Sequence, residues 1–99
     1  MNEIIQTMAD QINAKELKFA KFMLLADENL NQVTVRKGTK FMRITYNESH
    51  DSYDIQKGKI KGFDISEEPV ESGYYCDMLQ DAISRYFNFE YVMEQFIRC

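Results

Sequence analysis

Apolar side chains recur at helical spacing from the start of the chain. Ile4, Ile5, Met8 and Ile12 lie three or four residues apart and define one face of a helix over residues 2–12. Asn13 stands three residues before Glu16, the arrangement of a capping box, and predicts a second helix over 14–27. That helix would bury Leu17, Ala20, Met23 and Leu24 and turn Lys15, Lys18 and Lys21 to water. Phe19, Phe22 and Leu25 make it apolar around most of its girth, which requires a central position or a covering partner.

The period then changes from about four to two. Val33 and Val35 alternate with Thr34 and Arg36, and Met42, Ile44 and Tyr46 alternate with Phe41, Arg43 and Thr45. Gly38 sits between the two runs, so they read as a hairpin. Asn47 to Ser52 is a polar turn. Tyr53 and Ile55 begin a third strand, Lys57-Gly58 reads as a further turn, and 59–65 as a fourth strand. Ser66-Glu67-Glu68-Pro69 ends the sheet.

From Tyr75 onward, Leu79, Ala82, Tyr86, Phe89, Met93 and Phe96 follow alternating steps of four and three. This predicts a long terminal helix over 74–97, straight or bent at Asn88. Its apolar stripe either covers the sheet or meets a second chain. Together these patterns predict one α+β domain over residues 1–99. It consists of a three- or four-stranded antiparallel meander with two N-terminal helices and a long C-terminal helix packed on one face. Thr34, Arg36, Arg43, Thr45 and Phe41 are expected on the other face.

Composition is that of a globular chain: 44% hydrophobic and 13% aromatic over 99 residues. Charge adds a further feature. Residues 31–61 carry seven Lys/Arg against three Asp/Glu, a net of +4, whereas residues 62–99 carry two against eight, a net of −6. With a formal total of −4, the molecule as a whole is not built for non-specific attachment to nucleic acid or an anionic membrane. The two cysteines, Cys76 and Cys99, form no metal-ligand spacing; they could form one bridge, but free thiols of an intracellular protein are the plainer expectation. Neither a leader pattern nor a spanning segment is apparent, so the expected location is the cytoplasm, away from any membrane.

No catalytic signature emerges, and no cofactor or metal is implied. Ser49-His50-Asp51 places three triad residue types side by side, but neighbours in a turn splay apart and cannot converge. The carboxylate pairs Asp77/Asp81 and Glu90/Glu94 are four residues apart on the wet side of a helix, where solvent keeps both members ionised. The glycines form no phosphate-binding loop. A non-enzymatic role follows.

Two surfaces remain as candidates. The acidic one comprises Asp64, Glu67, Glu68, Glu71, Asp77, Asp81, Glu90 and Glu94, with Tyr74, Tyr75 and Tyr91 as aromatic anchors. Carboxylates spaced by helical turns can occupy a basic cleft that otherwise holds phosphates. The partner would be a basic or nucleic-acid-binding protein. The alternative surface is basic: Arg36, Lys37, Lys40, Arg43, Lys57, Lys59 and Lys61, a β-ribbon contacting nucleic acid directly. In size, acidity and lack of a catalytic motif the chain is similar to small phage or plasmid accessory proteins, a population that includes inhibitors of host defence nucleases such as anti-CRISPR proteins. That likeness is one of composition and implies an inhibitor that covers the basic surface of a nucleic-acid-handling protein. A homodimer through apolar helix faces is a further expectation.

Overall fold

The computed structural model describes residues 2–92. Two short helices, α1 (Glu3–Gln11) and α2 (Ala14–Phe19), precede six antiparallel strands: β1 (Met23–Asp27), β2 (Gln32–Lys37), β3 (Lys40–Asn47), β4 (Ser52–Lys61), β5 (Asp64–Glu67) and β6 (Glu71–Tyr74). A 3-10 turn (Cys76–Met78) leads into α3 (Leu79–Phe87). The sheet runs β1-β2-β3-β4-β5, and β6 pairs with the other half of β4. The α+β class and the meander hold, with six strands in place of the three or four predicted.

α1 forms where the period-four pattern places it. The Asn2 side chain caps it by accepting the Ile5 N–H at 2.8 Å, and Ile5, Met8 and Ile12 are buried. Asn13 does precede α2, but in the left-handed region (φ 54°). Its amide donates to the Glu16 carboxylate at 3.2 Å, so the predicted capping box is not made.

The second helix ends at Phe19, eight residues before the predicted end. Lys21 enters the left-handed region (φ 72°), Phe22 turns into the core, and Met23–Asp27 becomes an outer strand. The apolar run Phe22-Met23-Leu24-Leu25 is compatible with helix or strand by periodicity. Its pairing with β2, Leu24 opposite Val35 and Ala26 opposite Val33, decides for strand.

One side of the sheet carries the core. Val33, Val35, Met42, Ile44, Tyr53 and Ile55 pack beneath Ile5, Met8, Ile12, Leu17, Phe22, Cys76, Leu79, Ala82 and Ile83. All the helices therefore lie on one face, as the pattern predicts. Cys76 is buried there and disulfide-bonded, not a free thiol.

The terminal helix is the largest correction. Residues 71–74 are strand, and the helical stretch covers only residues 76–87. Asn88 closes α3 in the left-handed region (φ 51°), and the Phe89 N–H returns to the Ser84 carbonyl at 3.0 Å. Phe89 then folds back onto the Phe22 ring, with centroids 5.1 Å apart. The Tyr91 hydroxyl donates to the Ile12 carbonyl at 2.7 Å. The apolar period up to Phe89 thus reflects burial without a continuous helix, and Met93 and Phe96 lie outside the described residues. Among the described residues no helix is long and apolar enough to cross a membrane.

On the far side of the sheet, Phe41 is buried although no helix covers it. It lies opposite Gly58 in the β3–β4 ladder, and Arg43 stacks over its ring at 4.8 Å. Lys57-Gly58 is not a turn, since β4 continues to Lys61 and the chain reverses at Gly62 (φ 59°). Gly58 is required there because a Cβ would stand 2.2 Å from Phe41 Cζ and 2.8 Å from the Ser66 carbonyl oxygen. Gly58→Ala is expected to cost about 1–3 kcal/mol through overpacking, read as a lower urea midpoint. The same substitution in a Phe41→Leu background should cost measurably less, and equal costs in the two backgrounds would show that ring and glycine do not interlock.

Candidate functional site

The strand order decides where the charges go. β4 carries Lys57, Lys59 and Lys61, and its open side is taken by the acidic strands β5 and β6. Lys61 stands opposite Asp64, Gly58 opposite Glu67, and Ile55 opposite Glu71. Arg43 bonds to Glu67 at 3.2 Å and also donates to Gln56 Oε1 at 3.2 Å. Lys57 bonds to Glu71 at 3.2 Å. Asp81 pairs with Arg85 one turn further along α3 at 3.0 Å. The two oppositely charged segments therefore interleave in space and do not form separate surfaces.

Most of the basic set serves the fold. Lys37 donates to the Ala20 carbonyl at the end of α2 at 2.9 Å and lies 4.8 Å from the Phe22 ring centroid. Lys40 donates to the Tyr86 carbonyl in the last turn of α3 at 3.0 Å and lies 5.1 Å from that residue's ring centroid. Both ammonium groups thus neutralise helix C-termini, where carbonyls lack intrahelical partners and the helix dipole is negative. Arg36 Nε donates to the Gly38 carbonyl in the β2–β3 turn at 3.2 Å. Lys59 and Lys61 are exposed on the outer half of β4. No continuous basic ribbon is presented.

The acidic set divides likewise. Glu67, Glu71 and Asp81 are in the ion pairs just described. Asp64 and Glu68 are on the exposed β5 edge and the loop after it, and Glu90 lies beyond α3. Glu94 lies outside the described residues. Of the aromatic anchors, only Tyr75 is well exposed. Tyr74 packs against the core, and Tyr91 is held by its bond to Ile12. Burial first, and then the charge of Glu16, push the Tyr91 hydroxyl well above the ordinary phenol range.

What the structure does bring together is a cleft of about 670 Å³ between β6 and the 3-10 turn with α3. Glu71 and Tyr74 come from the strand, Asp77, Met78, Asp81 and Arg85 from the helical side, and Lys57 from the floor. The Lys57 ammonium is pulled down by burial, but the Glu71 carboxylate, with Tyr74 and Glu68 nearby, outweighs this and holds it above its usual value. Each side of the open groove thus carries both signs, Glu71 with Lys57 on the sheet side and Asp77 and Asp81 with Arg85 on the helical side. Glu71, Asp77 and Asp81 are all exposed. Among the described residues no cluster of side chains is arranged to hold a metal ion. Lys57 and Arg85 were not joined to this group by sequence reasoning, because Glu-Ser-Gly-Tyr has no alternating pattern to mark it as a strand.

A second cleft, about 440 Å³, lies between α1 and the β3–β4 turn. The Tyr46 hydroxyl donates to Asp51 at 2.6 Å, and the Tyr53 hydroxyl donates to Gln11 Oε1. Asp51 is thereby turned towards Tyr46. Ser49, His50 and Asp51 remain an exposed turn, as their adjacency predicts. Burial, reinforced by Tyr46 and Asp51, pushes the Tyr53 hydroxyl up to about 12. Comparison of the chain with protein-family models, curated proteins and solved structures finds no match.

Two outcomes follow. Lys40→Met is expected to cost about 1–2 kcal/mol in chemical denaturation through loss of a charge-assisted helix-end bond, whereas Lys61→Met should stay within about 0.5 kcal/mol. Equal small effects would remove the capping role. Tyr53 and Tyr91 are raised on folding, so the folded state holds their protons more tightly than the unfolded chain. The stability they contribute is complete below pH 10; the part from Tyr53 is lost as pH rises through about 12, and the part from Tyr91 at higher pH still. Absorbance at alkaline pH should show these two phenols ionising together with loss of the far-ultraviolet circular dichroism. Ionisation of all six tyrosines before any loss of structure would contradict this.

Proposed function

We propose that this chain is a non-enzymatic interaction protein that receives basic side chains of a protein partner in the cleft between β6 and α3. The observation that carries the reading is the convergence of Glu71, Asp77 and Asp81 on one open groove that exposed Met78 also lines. An incoming arginine can take Asp81 from Arg85 at small cost. That pair is largely exposed, at 82% and 65% for its two side chains, and such pairs contribute only about 0.3–0.5 kcal/mol. Met78 adds flexible apolar contact area. Basic surfaces of this sort are typical of nucleic-acid-handling proteins, so inhibition by covering such a surface is the most concrete form of the role. The site is narrower than the whole acidic third of the chain, because Glu67 is committed to Arg43 on the far side of the sheet.

Fluorescence anisotropy with a labelled oligoarginine peptide tests this directly. Binding is expected at low salt and should weaken steeply as salt rises. Asp77→Lys with Asp81→Lys should abolish it, with circular dichroism unchanged because both positions are exposed. Undiminished binding by that double variant would discard the cleft as the contact. A gel shift with single- or double-stranded DNA should show no complex, since the cations of the sheet are largely engaged within the fold.

A further inference from the structure

The two margins of the sheet are built differently. One is formed by β5 and β6, four residues each, carrying Asp64, Glu67 and Glu71 and separated by a loop containing Pro69. The β6–β4 pairing is also shifted in register between Tyr53 and Ile55. Short strands, charges, proline and irregular pairing are the features that keep a sheet margin from recruiting another strand. The other margin, β1, is also short at five residues, but it has neither proline nor irregular pairing. It is Met-Leu-Leu-Ala-Asp in unbroken register with β2, with a single charge at its last position. Met23 and Leu25 on its far side are 54% and 58% exposed, and Phe19 on α2, which packs against β1, is 89% exposed. Leu24, Leu25 and Ala26 border a small, mainly apolar groove that Ile5, Val33 and Lys18 also line. Among the described residues, no strand lies beside the main-chain groups along this outer side.

We infer that two copies of this chain join through β1, antiparallel, about a two-fold axis at Leu25. The occupant of the margin is a second copy because the strand is complementary to itself when reversed. Lys18 and Lys21 precede it and Asp27 closes it, while the neighbouring Glu28 is held by the Asn2 N–H within the chain. Arg36 lies opposite Met23, reinforcing the positive end. Reversal about Leu25 sets Met23 against the partner copy's Asp27 and Leu24 against its Ala26, and it brings the basic end of each strand to the acidic end of the other. A parallel arrangement would set like ends together. The pairing is isologous and closes as a dimer. Each copy also places a core-side leucine over the other's apolar groove. A five-residue ladder spans only about 17 Å, so the association is concentration-dependent. This inference does not rest on the cleft described above, which lies beyond β4.

Sedimentation equilibrium of the full chain should show the apparent mass rising with concentration from 11.7 kDa towards twice that value. Leu25→Lys sets two like charges face to face on the axis and should weaken association roughly tenfold or more. If that variant does not fold, cysteine scanning decides. Leu25→Cys should yield a covalent dimer on a non-reducing gel, because residues facing across the axis come within disulfide range. Met23→Cys should not, since its copies lie four positions apart along the ladder. A monomer at every concentration would overturn the inference. So would a dimer that Leu25→Lys leaves intact, or equal cross-linking by both cysteine variants.

Discussion

The pairing of β4 on both of its sides is the constraint on which the rest of this structure depends. At ten residues it is the longest strand, and it is hydrogen-bonded to β3 on one side and to β5 and β6 on the other. Its inward residues Tyr53 and Ile55 reach the helices. Its outward Gly58 admits Phe41, and its lysines select the acidic strands beside it. Opposite charges on adjacent strands favour this register, while like charges would oppose it.

That one element explains why a chain sorted by charge along its length is mixed in charge over its surface. Antiparallel neighbours juxtapose segments distant in sequence, so the +4 middle and the −6 end interleave. The remaining cations are drawn to helix ends. Lys37 and Lys40 flank the β2–β3 turn and reach the closing carbonyls of α2 and α3, respectively. A single hairpin thereby ties both helices to the sheet through charge-assisted bonds and two cation–aromatic contacts.

The Phe41 cluster is a second consequence. Sheets with one wet face usually leave that face polar. Here an aromatic ring fills the space above a glycine, an arginine covers the ring, and Glu67 fixes the arginine. The far side thus has its own small packed centre, which stiffens the β3–β4–β5 region. The opposite margin at β1 has no such device, and Met23 and Leu25 stay exposed there.

The first helix, the strands carrying Val33/Val35, Met42/Ile44 and Tyr53/Ile55, and the one-sided core were legible because each has a strong period that burial then used. The extent of α2, the strand status of β6 and the short terminal helix were not. An apolar run of four residues suits two geometries, Glu-Ser-Gly-Tyr suits none in particular, and a period of three and four survives in a chain that folds back after Asn88. The candidate cleft was half legible: Glu71, Tyr74, Asp77 and Asp81 were among the candidates, while Lys57 was assigned to the rival basic surface and Arg85 to neither. By itself the sequence determined which residues are apolar, which are charged and where glycine or asparagine permits a reversal, because these are properties of single residues and their neighbours. Tertiary structure alone decided which charges meet, since strand pairing and helix-end positions depend on contacts between residues far apart in the chain.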